Sequence, residues 1–340
     1  MKIPNCKLTP TFEKNRGQYH KVVKYITRAN GYTSFLCEDK IVVSLPSNKE
    51  NTINAFSMKF NDINDSIEIN GVDKQNGYVN YLIGNDDSEW LTYIPTFNKV
   101  EYKNIYENID LYYYINEGNL EYDFVLSKEG NPNDICLRFE GLDNIEEDEE
   151  GNLILCIGDT KASLLKPNTY QYVDGEKVEV ECNYELDEDF WVRFKVEVYD
   201  RELDLVIDPV LSLNHYTDLQ ISEGKSIAID SRGYLYLTGT VGEGYPTKLG
   251  SNQKRLRRNN VFVTKLSEDG STLVYLTYID GTFDDVSNSI EVDGTGCAYI
   301  TGDAESNDFP KMPGMYLSKL NPYGSGLEYS NNNYIWKHRY

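Results

Sequence analysis

Residues 226–239 and 289–302 are two copies of one pattern. The first reads Ser-Ile-Ala-Ile-Asp-Ser-Arg-Gly-Tyr-Leu-Tyr-Leu-Thr-Gly, the second Ser-Ile-Glu-Val-Asp-Gly-Thr-Gly-Cys-Ala-Tyr-Ile-Thr-Gly, and seven of the fourteen positions are identical. Internal repeats at this spacing point to stacked or radial architectures. Each copy encodes a β-hairpin. Ile227 and Ile229 alternate with other residues, Asp230-Ser-Arg-Gly233 turns the chain, and Leu235 and Leu237 resume the alternation. Asp at the first turn position accepts from backbone amides ahead of it, and Gly takes the positive φ that closes the loop. Asp293-Gly-Thr-Gly296 repeats this turn, and each copy is followed by an aromatic-Pro pair, Tyr245-Pro246 and Phe309-Pro310.

A second half-unit follows each hairpin. Val263-Thr-Lys-Leu266, Gly270 and Leu273-Val-Tyr275 correspond to Leu317-Ser-Lys-Leu320, Gly324 and Leu327-Glu-Tyr329. Asp230 recurs as Asp293 after 63 residues, but Lys265 recurs as Lys319 after 54. The difference falls where the first copy carries Lys254-Arg-Leu-Arg-Arg258, which places that basic run in a loop insertion.

Alternation with a period of two dominates the rest of the chain. Val192, Phe194, Val196 and Val198 alternate with Arg193, Lys195 and Glu197, and Val178-Glu-Val-Glu, Ile67-Glu-Ile-Asn and Ile135-Cys-Leu-Arg-Phe139 do the same. No long window keeps a helical stripe, so the chain is expected to be all-β. Turn signals at Asn30-Gly31, Asn70-Gly71, Asn76-Gly77, Glu117-Gly118-Asn119 and Asp174-Gly175 separate the strands before residue 209, a spacing that suits a sandwich or paired sheets. The acidic run Glu146–Glu150 precedes Gly151-Asn152 and reads as a solvated hairpin turn. Asp208-Pro209 marks a boundary, because Pro interrupts a ladder.

The 340 residues carry 33 basic and 55 acidic side chains, a net charge of −22. Such a surface disfavours nucleic acid and anionic membranes. Twenty-eight tyrosines suit half-buried strand positions and contact surfaces for carbohydrate or protein. No apolar run reaches the length of a membrane span and no export signal is visible. Cys6, Cys37, Cys136, Cys156, Cys182 and Cys297 have no C-x-x-C spacing, and the three at 136, 156 and 297 read as buried free thiols.

Few residues suggest chemistry. Glu121 and Asp123 stand two apart on a strand, so both carboxylates face one side, and paired carboxylates are what glycoside hydrolysis uses. A structural role within the N-terminal region is the competing account. Asp230 and Asp293 read as turn caps before they read as calcium ligands, and no EF-hand loop is present. His20, His215 and His338 are isolated from one another and from any cysteine pair, which argues against zinc. No G-x-S-x-G elbow and no nucleotide-binding glycine pattern in a strand–helix context occurs. No catalytic, cofactor-binding or metal-binding residue is therefore assigned, and no cofactor is expected.

Phe12-Glu-Lys-Asn15-Arg-Gly17-Gln18 resembles the opening of an uncharacterised domain that precedes SBBP β-propeller repeats in bacterial and archaeal surface proteins. The resemblance continues through Asn80-Tyr-Leu-Ile-Gly84-Asn, Trp90, Val100-Glu-Tyr102 and Ile109-Asp110. It is densest at Leu120-Glu-Tyr-Asp-Phe124, Lys166-Pro167, Tyr170-Gln171, Tyr199-Asp200 and Leu205-Val-Ile-Asp-Pro209. Tyr275-Leu-Thr-Tyr278, Ser289–Asp293 and Tyr299–Gly302 resemble the SBBP unit itself. The resemblance implies an N-terminal β-sandwich-like domain over residues 1–209, then an incomplete propeller of about two units over residues 210–340. The implied protein is a non-enzymatic surface or secreted module that binds carbohydrate or protein. Truncation of the ring, with self-association through its open edges, is a further expectation. A polysaccharide hydrolase using Glu121 and Asp123, and an intracellular scaffold, are the alternatives.

Overall fold

The computed structural model describes residues 10–29, 31–47, 53–213, 222–242, 259–310 and 314–331. Among these the regular structure is strand, apart from two single-turn 3-10 helices at Asp87–Glu89 and Pro132–Asp134. The all-β reading holds, and the sheets are large and almost wholly antiparallel.

Alternation decides which side of each strand faces inward. In the Ile109–Asn116 strand, Ile109, Leu111, Tyr113 and Ile115 are buried, while Tyr112 and Tyr114 face the other way. The partner strand Asn119–Leu126 buries Leu120, Tyr122, Phe124 and Leu126. Glu117 and Gly118 join the two with φ of 51° and 86°, the two-residue turn that suits the twist of paired strands. Asp174 and Gly175 do the same between Asn168–Val173 and Glu176–Val180.

A single ladder runs from Cys182–Leu186 through Trp191–Val196, Cys136–Glu140, Ile53–Phe60, Lys40–Pro46, Tyr32–Cys37, Val23–Ala29 and Phe12–Lys14 to Leu91–Tyr106. It continues through Ile109–Asn116 and Asn119–Leu126 to Leu205–Asp208, Asn168–Val173 and Glu176–Val180. The sheet turns back over itself around one apolar core. Phe124 thus meets Phe194 edge-on at 5.8 Å, and the Tyr122 hydroxyl reaches the Met58 sulfur at 3.5 Å.

Two of the expected turns are not turns. Asn70-Gly71 and Asn76-Gly77 lie inside one long strand, Glu68–Ile83. Their glycines serve close approach instead. A Cβ at Gly71 would fall 2.4 Å from the Phe97 ring, and one at Gly77 would fall 2.5 Å from the Leu273 carbonyl oxygen. Pro209 separates Leu205–Asp208 from Val210–Ser212, and both segments pair with Asn119–Leu126. The acidic run does form a hairpin turn: Asp148 accepts from the Glu150 and Asn152 amides, both at 2.9 Å.

The repeats form two four-stranded antiparallel meanders. Ser222–Ile229, Leu235–Gly242, Asn259–Leu266 and Leu273–Asp280 make the first, and Asp285–Val292, Ala298–Ala304, Gly314–Leu320 and Leu327–Asn331 the second. The turn aspartates cap as expected. Asp230 accepts from the Arg232 and Tyr234 amides at 2.9 and 3.0 Å, and Asp293 from the Thr295 and Cys297 amides at 2.9 and 3.1 Å. Each cap also takes a tyrosine hydroxyl, from Tyr236 at 3.2 Å and Tyr299 at 3.1 Å. Lys265 and Lys319 lie over those rings at 4.8 and 5.3 Å. The Thr238 and Ser287 hydroxyls, 2.6 Å apart, link the two sheets face to face.

The repeats are tied into the N-terminal region by one parallel pairing, Tyr275–Asp280 against Tyr78–Ile83. The first meander thereby gains a fifth strand from residues far back in the chain. Cys37, Cys136, Cys182 and Cys297 are buried free thiols and Cys156 is a half-buried one. Cys6 lies outside the described residues. No helix among the described residues is long and apolar enough to cross a membrane.

Candidate functional site

Glu121 and Asp123 project from the outward side of Asn119–Leu126, on the face opposite Tyr122 and Phe124. Tyr114 stands directly across from Glu121 and Tyr112 across from Asp123. The Tyr114 hydroxyl donates to Asp123 Oδ1 at 3.0 Å, and Asn116 Nδ2 donates to Glu121 Oε1 at 3.0 Å. On the other flank, the registers Ile207–Phe124 and Val210–Glu121 set Asp208 opposite Asp123. Asn168 Nδ2 donates to Asp208 Oδ2 at 3.4 Å, while Asp208 Oδ1 is buried without a hydrogen-bond partner.

The sequence reading missed Asp208 as a site residue. It appeared only as the residue before a boundary proline, and its juxtaposition with Asp123 depends on a pairing across some eighty residues of chain. The local signal was weak by nature. Three carboxylates and Tyr114 thus share one patch.

That crowding raises the acids. Burial, followed by the neighbouring Asp208 carboxylate, pushes Asp123 up to about 6, against the opposing help of Tyr114 and Lys99. Burial raises Glu121 as well, and Asn116 partly offsets it. Asp208 is raised by burial, with Asn168 and Lys177 easing it. Carboxylates sharing a site do not all ionise together. A proton on Asp123 therefore has an acceptor in Asp208, whose Oδ1 lacks any other.

Aromatic rings flank the acids. Burial, and after it the nearby Asp123 and Asp208 carboxylates, raises the Tyr170 hydroxyl to about 12. Its ring meets Tyr172 edge-on at 5.6 Å and carries the Lys177 ammonium at 3.7 Å. Tyr172 is 56% exposed. On the other side Tyr112 donates to Glu101 at 2.8 Å, and Lys99 lies over Tyr114 at 5.0 Å. The patch is a sheet face of tyrosines and carboxylates in which Glu121 is buried, Asp123 and Asp208 are half-buried and Tyr172 is exposed.

The other candidates are dispersed. Asp230 and Asp293 are 60-odd residues apart in sequence and each is spent on its own turn. His20 accepts from the Val22 amide at 3.4 Å on the surface. His215, His338, Tyr245-Pro246 and Lys254–Arg258 lie outside the described residues. No group of three metal-ligating side chains is assembled among the described residues.

Fold and patch together define an all-β protein with an aromatic and acidic sheet face. The chain belongs to the family described as domain of unknown function DUF7948, whose model matches residues 12–210. No curated protein matches the chain.

Proposed function

We propose that this chain is a non-catalytic binding module of a cell-surface or extracellular protein, with carbohydrate as the ligand class that the acidic tyrosine face suits best. The observation that carries this reading is the row of outward tyrosines, Tyr112, Tyr114, Tyr170 and Tyr172, beside Glu121, Asp123 and Asp208. Tyrosine rings offer apolar faces with polar tips, and carboxylates accept from ligand hydroxyls. The resemblance to domains preceding SBBP repeats supports the same reading. In it, residues 1–209 form a sandwich-like domain and residues 210–340 contribute about two SBBP-type propeller blades of an incomplete ring, with protein as the other ligand class and self-association through the open propeller edges. The four-stranded meanders and their equivalent caps support the blade assignment.

Glycan-array binding followed by titration calorimetry tests it. Tyr172→Ala is expected to weaken the best glycan about tenfold, the scale of one lost aromatic contact. Absence of saturable binding across the array, or indifference to Tyr172→Ala, rejects the carbohydrate reading.

A polysaccharide hydrolase is the second reading, favoured by an Asp123 held near 6 beside Glu121, the arrangement a general acid needs. Reducing-end release that survives Glu121→Gln/Asp123→Asn excludes it. The intracellular scaffold reading rests on the free thiols, and recovery of the native protein from the wall fraction alone excludes that one.

A further inference from the structure

The opening of this acidic chain is basic. Residues 1–24 carry Lys2, Lys7, Lys14, Arg16, Lys21 and Lys24 against one acid, Glu13, although the chain as a whole has a net charge of −22. Glu13 is committed elsewhere, to Arg28 and to the Tyr81 hydroxyl, both at 2.5 Å. Three of the lysines, Lys14, Lys21 and Lys24, meet at one cavity of about 470 Å³, whose walls include Tyr19, Tyr25 and Ile69. This volume suits a small ligand. The cavity shares no lining residue with the Glu121–Asp123–Asp208 patch.

We propose that this cavity binds an anionic group, the carboxylate or phosphate of a small polar ligand. Lys14 ends the Phe12–Lys14 strand, Lys21 stands on the loop after it, and Lys24 belongs to Val23–Ala29. The register slips between Val23 and Tyr25, so Lys24 is the extra residue of a β-bulge. A bulge re-aims the side chain it carries, and Lys24 joins the other two lysines at the cavity. It also pairs with Glu38 at 3.4 Å, but the two side chains are 39% and 60% exposed, and an exposed pair of this kind is worth little. An ammonium has three donors, so Lys24 can serve a ligand and Glu38 together. Ammonium groups brought together repel one another, and an anion between them turns that repulsion into attraction.

The loop between the two strands is built to hold this arrangement. Asn15 Oδ1 accepts from the Gly17 and Tyr19 amides at 3.1 and 3.2 Å. Its Nδ2 donates to the Tyr19, His20 and Val23 carbonyls at 3.2, 3.0 and 2.8 Å. Gln18 ties the loop from its other end, donating to the Lys14 carbonyl at 2.9 Å and accepting from the Arg16 amide at 2.6 Å. Gly17 turns the chain at a φ of 119°, where a side chain would be strained. The loop thus spends its amide side chains on its own backbone and presents ammonium groups to the cavity. A site on so fixed a support loses little freedom when it binds. Tyr25, 2% exposed, and Ile69 from Glu68–Ile83 supply apolar surface for the body of the ligand.

Titration calorimetry of the full chain with glucuronate and, separately, inorganic phosphate tests the proposal, with glucose as the neutral counterpart of glucuronate. Work at about 150 mM salt suppresses diffuse electrostatic attraction. Saturable one-site binding of at least one anion is expected, and the tighter of the two identifies the group as carboxylate or phosphate. Lys14→Gln and Lys21→Gln are each expected to weaken it about tenfold, the scale of one charge-assisted hydrogen bond. Lys128→Gln, on an exposed turn away from the lining, is expected to leave it unchanged. Lys14 and Lys21 are both exposed, so their substitution leaves the fold intact. No saturable binding of either anion, equal weakening by Lys128→Gln, or glucose binding as tight as the anions overturns the proposal.

Discussion

Asp208 stands opposite Asp123 across the seam between Leu205–Asp208 and Asn119–Leu126, and its Oδ1 has no hydrogen-bond partner. Two acids so placed favour holding a proton. The folded pKa of Asp123, about 6, lies above its unfolded value of about 3.9. Its contribution to stability is therefore fully present below about pH 4 and is lost as pH rises through 6. Asp123→Asn is expected to stabilise the protein at pH 7.5 by about 1 kcal/mol, a figure reduced for solvent screening of a partly exposed group. The gain is expected to vanish at pH 4. Urea denaturation at the two pH values checks this, and a gain independent of pH contradicts it.

The Glu13–Arg28 ion pair gives a second prediction. Glu13 is buried, and Arg28 is its cation. Arg28→Ala leaves that carboxylate in a low-dielectric site with the Tyr81 hydroxyl, and is expected to cost about 3 kcal/mol. Removing both charges in Glu13→Gln/Arg28→Met is expected to cost less than Arg28→Ala alone. Equal losses in the two variants would show that packing, not charge, holds this cluster.

Gly77 is expected to be the sensitive point of the parallel pairing. Its missing Cβ leaves room for the Leu273 carbonyl, so Gly77→Val forces the two strands apart. Overpacking of this kind costs about 1–3 kcal/mol. Limited proteolysis is expected to separate the repeats from the N-terminal region in this variant and not in Gly175→Ala, whose Cβ meets open space. The alanine strains only its own turn, where φ is 85°.

The turn aspartates respond to pH in the opposite sense to Asp123. Burial disfavours the Asp230 charge, but the Arg232 and Tyr234 amides and the Tyr236 hydroxyl more than offset it and hold its pKa low. Its stabilisation is present above the unfolded value near 3.9 and is lost as pH falls through the folded one. Asp230→Ala is expected to cost about 1–2 kcal/mol at pH 7, with the deficit shrinking at pH 2. Thermal melts at both values test the sign.

Equivalent repeat positions meet different fates. Ile227 is 59% exposed, whereas its counterpart Ile290 is 1% exposed and packs in the core between the two meanders. In the proposed blade architecture the Ile227 face is a surface for association. Ile227→Asp is expected to abolish any concentration-dependent mass increase seen by light scattering, and an unchanged profile removes this face from that role.

Local sequence determined what depends on a residue and its near neighbours. Alternation in Ile109–Asn116 and Asn119–Leu126 fixed which side chains share a face, so Glu121 and Asp123 were legible as a same-side pair. The Asp-x-x-Gly turns were legible because an aspartate can satisfy amides two and four residues ahead. Tertiary structure decided what depends on partners far along the chain. It placed Asp208 against Asp123, used Gly71 and Gly77 for strand and ring contact where a turn was expected, and buried Ile290 while leaving Ile227 exposed. The physical reason is the same in each case: a period of two specifies a face, but only the strand or sheet that arrives against that face specifies whether it is covered.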